Sequence, residues 1–189
     1  LSAVEGIPLI PAFRDTSQLW LVVIAGIIAI LLFAVQKKGA SKVAAAFGPL
    51  MLLWFCTLAL SGVISIMKAP WVFKAVKPYY ALTFLYHNGL VGFFVLSEVI
   101  LCATGAEALF ADMGHLGRKP IIRAWYFVFC ALLLNYLGQG AFLLTYAQHS
   151  SGVLFDMVFH QSFFLYIPFL VLSILATIVA SQAMISSMF

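Results

Sequence analysis

Hydrophobic residues along this chain form five long runs separated by short polar or basic segments. The runs cover residues 18–36, 47–67, 89–110, 124–146 and 162–189. Each is close to or above the roughly 20 residues that a helix needs to cross a bilayer core. None shows the strict alternation of a membrane β-strand, and only helices or closed barrels satisfy the backbone in lipid. The pattern predicts an all-α polytopic transmembrane protein, with residues 1–189 forming a fragment of one membrane domain.

The composition supports a membrane protein. The chain is 65% hydrophobic and only 8% charged, whereas a soluble domain has about 25% charged residues. A chain with so few charged residues could not form the polar surface that a soluble protein needs. Membrane lipid is therefore an expected partner. The basic residues lie between the runs without an aromatic, basic face, and no nucleic acid partner is expected. Because Leu1 is not Met and Phe189 lies inside an apolar run, the chain is expected to be an internal piece of a longer protein.

The distribution of basic residues predicts the orientation of the runs. The segments 37–46 and 115–123 hold six of the ten Lys and Arg residues. Short loops rich in Lys and Arg remain on the cytoplasmic side, so the first run is expected to point inward. The aromatic segment 70–88 follows the second run, with Lys74 and Lys77. Aromatic and basic residues together favour the lipid–water interface, so this segment is interpreted as interfacial.

Two ionisable residues, Glu98 and Glu107, lie inside a run. An intramembrane carboxylate is a functional candidate because its insertion is costly. Thr104 lies three residues before Glu107 and shares its helix face, and Gly105 between them permits backbone distortion. Oxygen ligands at one point suit a hard alkali cation. The alternative is a glutamate that pairs with a basic loop residue. Glu98 would lie on the opposite helix face, and its role is left open.

Polar residues in the last two runs form two further sets. The fourth run contains Asn135, Tyr136 and Gln139 in NYLGQG, and the fifth contains Ser173, Thr177 and Ser181 at intervals of four. Both sets could line a permeation path near the bilayer midplane. Interhelical hydrogen bonds and small-residue packing are the alternative interpretation.

Motifs of catalysis are absent from the sequence: it has no GxSxG, HExxH or Walker lysine. The chain is therefore expected not to be an enzyme and to carry no cofactor. The three cysteines lie inside apolar runs without a CxxC pair, which argues against a disulfide framework or a metal cluster.

Three ordered motifs resemble one family of transporters. TGAEALFADMGHLGRKPI, residues 104–121, resembles the TGxEALYADMGHFGxxPI signature of the KUP/HAK/KT potassium uptake permeases. LLLNYLGQGAFLL, residues 132–144, and VASQAMIS, residues 179–186, are similar to two more motifs of that family. The likeness extends over essentially the whole chain. Ser187 departs from it, since the family usually has Gly there.

The resemblance implies potassium uptake by proton-coupled symport across the plasma membrane, the inner membrane of a bacterium. It implies part of a LeuT-like inverted-repeat fold of the amino acid–polyamine–cation superfamily, with the five runs as its fourth to eighth helices. Potassium would bind through Thr104 and Glu107 beside Gly105, with a helix break near Thr104–Gly105. The transported ions, potassium and protons, and the rest of the same permease would then be the partners.

Three alternatives remain open at this point. A related permease of the same superfamily could carry another cation or an amino acid. An intramembrane enzyme would need a catalytic pair or metal cluster within the runs. A transport-inactive truncation would insert in the membrane without moving an ion.

Overall fold

Helices account for almost all of the described structure. The computed structural model describes Gly6, some positions between Leu19 and Ile30, and residues 40–103, 117–146 and 152–188. The helices are α1 (Ala40–Lys68), α2 (Pro78–Ala103), α3 (Arg118–Thr145), α4 (Val153–Gln161) and α5 (Phe163–Met188), with a 3₁₀ segment (Pro70–Val76) between α1 and α2. Most of the first predicted run, 18–36, lies outside the described residues.

Four of the described helices are long and apolar enough to cross a membrane. They contain the segments Phe47–Lys68, Pro78–Ile100, Arg118–Thr145 and Phe163–Gln182. Large apolar side chains point outward from them, as Leu60 and Phe164 do with 65% and 85% of their surface exposed. Such faces are stable against lipid or other transmembrane helices. The chain is therefore a polytopic α-helical membrane protein.

Helices α1 and α3 pack with their backbones in contact. A Cβ atom added to Gly62 would overlap the carbonyl oxygen of Leu134 and lie 2.6 Å from its carbon. A Cβ added to Gly138 would lie 2.7 Å from the Gly62 oxygen. Ile66, later on α1, packs in one cluster with Ala141, later on α3, so the two helices run in the same direction. Small residues at the crossing permit this close approach.

Helix α4 lies in residues 147–161, between the fourth and fifth predicted runs, where the pattern of long runs predicts only a connecting segment. Val153–Gln161 is helical, with Phe155 and Val158 buried. These two residues are three apart and lie on one face, so the apolar spacing is that of an amphipathic helix. The face packs on α5: the Phe155 and Phe169 rings are 6.0 Å apart. A nine-residue helix is too short to cross the bilayer, so a pattern of membrane-length runs does not predict it.

A bend divides α2 into two helical segments. Gly89 has φ 47° and ψ −117°, a backbone conformation open mainly to glycine. A Cβ on Gly92 would lie 3.3 Å from the Leu85 Cα, so the second segment folds closely against the end of the first. The bend separates the aromatic segment that precedes Gly89 from the apolar run that follows. The break predicted near Thr104–Gly105 lies outside the described residues.

The α1–α3 crossing predicts the effect of a single added methyl group. Gly62→Ala should lower the free energy of unfolding by about 1–3 kcal/mol, because overpacking forces the helices apart. Gly48→Ala is the matched control on α1, since no atom of the residues that the structure describes lies within 4 Å of its added Cβ. Thermal unfolding of the detergent-purified permease containing this chain measures both changes. Equal melting temperatures for the two variants would contradict the close backbone contact.

Candidate functional site

The predicted cation ligands Thr104, Gly105 and Glu107 lie outside the described residues, so this cation site stays a prediction. The last described residue of α2, Ala103, directly precedes Thr104. Glu98, the other carboxylate of this run, lies on α2 with an exposed side chain. The described part of the site is therefore built on the polar residues of the other helices.

Asn135 on α3 is a buried polar residue at the α1–α3 crossing. Only 3% of its surface is exposed, and its backbone nitrogen would lie 2.9 Å from a Cβ on Gly62. Its side-chain oxygen Oδ1 is buried and accepts no hydrogen bond from the residues that the structure describes. An unsatisfied buried acceptor costs about 1–3 kcal/mol. The crossing thus holds an amide oxygen of the kind that replaces water around a cation.

The other two polar residues of NYLGQG have different environments. Tyr136 is 61% exposed, and Gln139 is partly buried. Successive residues of a helix point in different directions, whereas residues four apart share a face. Asn135 therefore lies towards α1, and Gln139 one turn later is on the same side of α3.

The hydroxyl stripe of α5 is hydrogen-bonded along its own helix. The Thr177 hydroxyl donates to the Ser173 carbonyl oxygen over 2.9 Å, and the Ser181 hydroxyl donates to the Thr177 carbonyl oxygen over 2.9 Å. Ser173 is buried at 5% exposure, while Thr177 is exposed. Bonds of this type satisfy a hydroxyl hydrogen inside a helix, and the oxygen lone pairs remain able to accept.

A polar contact between α1 and α4 has no counterpart in the sequence analysis. Ser61 and Ser65 are buried on α1, with 5% and 3% of their surface exposed. The Gln161 Nε2 donates to the Ser61 carbonyl oxygen and to the Ser65 Oγ, each over 2.8 Å. The Ser61 Oγ donates to the Gln161 Oε1 over 3.0 Å. The spacing of the two serines by four residues was the available signal, but their partner lies at the end of a helix between two predicted runs, which the sequence pattern did not predict.

A small cleft lies beside this contact, where α1, α3 and α4 end. Its lining includes Ser65, Lys68 and His160. The His160 ring stacks on Tyr146 with centroids 5.0 Å apart, and the Phe142 ring is 5.6 Å away. The positive charge of Lys68 opposes a resting cation in the cleft. Among the described residues no group of three or more His, Cys, Asp or Glu could hold a metal ion.

Membrane-length helices with a glycine crossing define a polytopic helical membrane protein, which buries a few amide and hydroxyl groups between its helices. The whole chain, residues 1–189, matches the family model described as the K+ potassium transporter integral membrane domain. The chain belongs to this family, which confirms the resemblance found in the sequence.

Curated relatives support this assignment. The chain is 62% identical to the probable potassium transport system protein Kup 2 of Geobacter sulfurreducens over 189 residues. It is 64% identical to the protein Kup of Trichlorobacter lovleyi and 61% identical to that of Methanosarcina acetivorans. Each alignment covers 100% of this chain and 31% of the relative, so the chain spans about a third of their length. No solved structure matches the chain significantly.

The unsatisfied oxygen of Asn135 predicts opposite effects on stability and on activity. Asn135→Leu removes a buried unpaired acceptor, so the free energy of unfolding should stay unchanged or rise by about 1 kcal/mol. If the oxygen serves the ion path, rubidium uptake by the full-length permease should fall about tenfold or more, equal to about 1.4 kcal/mol.

Leu133→Met on the same helix is the control, because Leu133 is 46% exposed. It should change neither quantity. Uptake is measured per molecule of folded protein in the membrane, beside thermal unfolding of the same preparations. Reduced stability of Asn135→Leu with unchanged uptake would make Asn135 a packing residue only.

Proposed function

We propose that the protein containing this chain is a potassium uptake permease that moves K⁺ inward together with protons. The observation that carries the proposal is the family match over residues 1–189. The relatives named above as probable potassium transport proteins support it, with identities of 61–64% over the whole chain. Because the chain spans 31% of their length, the proposal concerns the activity of the complete permease.

Thr104 and Glu107 are the residues we propose for potassium binding. They follow α2 directly, and α2 is apolar enough to cross the membrane. A hydroxyl, a carboxylate and backbone carbonyls beside Gly105 would replace the water shell of the ion. A single intramembrane glutamate also suits proton coupling. A carboxyl group inside the membrane can take up and release a proton during the transport cycle.

Asn135 is the described residue that adds most to this path. Its buried Oδ1 is unpaired among the described residues and lies on a helix that also spans the membrane. We place it along the route of the ion, with Gln139 on the same face of α3. Ser173 on α5 is a further candidate because it is buried, whereas Tyr136, Thr177 and Ser181 remain weaker candidates.

The fold we propose for the complete permease is the LeuT-like inverted repeat. The parallel course of α1 and α3 is compatible with this fold, since one further span, α2, separates them. Discontinuous helices make the ion sites of such transporters. An amino acid substrate would need counter-charges for its carboxylate and its amine. The described spans offer few charged groups, and the printed names of the relatives refer to potassium.

Glu107 provides the direct test of the proposed site. In the full-length permease, expressed in a potassium-uptake-deficient strain, Glu107→Gln should lower rubidium uptake about tenfold or more. The amide keeps the size of the side chain but removes the negative charge and the titration. Glu98→Gln is the matched control, because it changes the exposed carboxylate of the same predicted run. Wild-type uptake by Glu107→Gln, with normal amounts of protein in the membrane, would remove Glu107 from the site.

A further inference from the structure

The described helices can be grouped into two pairs, α1 with α3 and α4 with α5. Helices α1 and α3 are joined at Gly62 and Gly138, where a single added Cβ would overlap the partner backbone. Helices α4 and α5 are joined by aromatic rings: Phe159 lies 5.6 Å from Phe163 and 5.3 Å from Tyr166. Such dense packing favours movement of each pair as one body.

The two pairs meet through contacts of different kinds. Trp54 of α1 stacks on Phe169 of α5, with ring centroids 5.4 Å apart. Gln161, at the end of α4, instead binds Ser61 and Ser65 through three hydrogen bonds of 2.8–3.0 Å. Ser61 lies two turns after Trp54 on α1. Between them, Leu58 packs in one buried cluster with Phe155 and Val158 of α4, so the polar contact borders the apolar one at the Lys68 end.

Water can replace the polar contact when the interface opens, although the His160 ring must also separate from Tyr146 and Phe142 of α3. Gln161 uses both amide hydrogens and its oxygen on the two serines, so the groups are fully paired when the contact is closed. Water can replace each of these bonds at a net cost of only about 0.5–1.5 kcal/mol. The cleft that reaches Ser65 and Gln161 gives water a route to them. Separation of the Trp54 and Phe169 rings, in contrast, would expose apolar surface.

The backbone around α4 permits such movement. Gly152, before α4, is non-helical, with φ −125° and ψ 60°, so a hinge at this position would let α4 and α5 move together. Residues at the ends of helices commonly absorb the backbone changes of a hinge.

We propose that Gln161 is a latch that closes the interface between the two helix pairs at the Lys68 end, the predicted outer side. The latch opens as the α4–α5 pair turns about the Trp54–Phe169 contact during each transport cycle. This inference rests on the proposed transport function. The rival interpretation is a permanent brace, in which the hydrogen bonds of Gln161 to Ser61 and Ser65 stay formed throughout the transport cycle.

A reversible crosslink distinguishes the latch from the brace. Ser65→Cys and Gln161→Cys are introduced into the full-length permease after replacement of its native cysteines, and a short bifunctional methanethiosulfonate reagent joins them. Crosslinking should lower rubidium uptake about tenfold or more, and a reducing agent should restore it. Gel mobility after cleavage between α1 and α4 reports the crosslink without any transport measurement.

A crosslink elsewhere at the same end of the bundle is the control. The Val72 Cγ2 lies 3.4 Å from the position of a Cβ on Gly140, so Val72→Cys with Gly140→Cys joins the 3₁₀ segment to α3. This pair does not cross the latch, and its crosslinked form should keep its uptake. Full uptake by the crosslinked Ser65–Gln161 pair, or failure of that pair to react, would overturn the latch.

The accessibility of Ser65 gives an independent measurement. Its side chain is 3% exposed, so Ser65→Cys alone should react slowly with a membrane-impermeant thiol reagent. Gln161→Ala should raise this rate about tenfold, because the open state becomes more populated. An unchanged rate would overturn the proposal. Absence of rubidium uptake by the wild-type protein would instead refute the proposed function, while the reaction rate of Ser65→Cys would still report on the latch.

Discussion

The backbone contact between α1 and α3 is the constraint on which the described structure depends. In lipid, burial of apolar surface contributes little to the free energy of helix association, so close packing and interhelical hydrogen bonds hold the helices together. The glycines at 62 and 138 bring the two backbones together, and this fixes the rotation of both helices. Asn135, three residues before Gly138, is thereby buried in the interface. Ser61, beside Gly62, is buried at the contact with Gln161 of α4. One contact between small residues thus positions both polar features of the bundle.

The buried polar groups divide into two types with different consequences. Ser61, Ser65 and Gln161 satisfy one another through three hydrogen bonds, so their burial costs little while the contact is closed. Asn135 keeps an oxygen unpaired among the described residues, so its burial costs more unless an ion or another group binds there. A paired cluster suits a contact that opens and closes, and an unpaired acceptor suits a binding position. The proposed latch and the proposed ion path follow from this difference.

The sequence predicts most of the long helices but little of their pairing. Apolar runs of membrane length locate α1, α3 and α5, because in lipid every residue of a span must be compatible with hydrocarbon. Because every face of such a helix is apolar, the sequence does not show which face packs against a neighbouring helix. It therefore could not distinguish buried Asn135 from exposed Tyr136. Helix α4 was missed because it is short, and Gln161 because its serine partner Ser61 is 100 residues away in the chain. The roles of Thr104 and Glu107 stay predictions, which rest on an intramembrane carboxylate, a hydroxyl three residues before it, and motif likeness.

Potassium transport coupled to protons is the central claim, and a flux measurement on the purified full-length permease in proteoliposomes tests it most directly. The vesicles contain a low potassium concentration, and an acidic external buffer imposes an inward proton gradient without a potassium gradient. The account predicts potassium accumulation inside the vesicles above the external concentration, accompanied by alkalinisation of the medium and abolished by a protonophore. Potassium flux that runs only down its own gradient, at the same rate with and without the proton gradient, would contradict it.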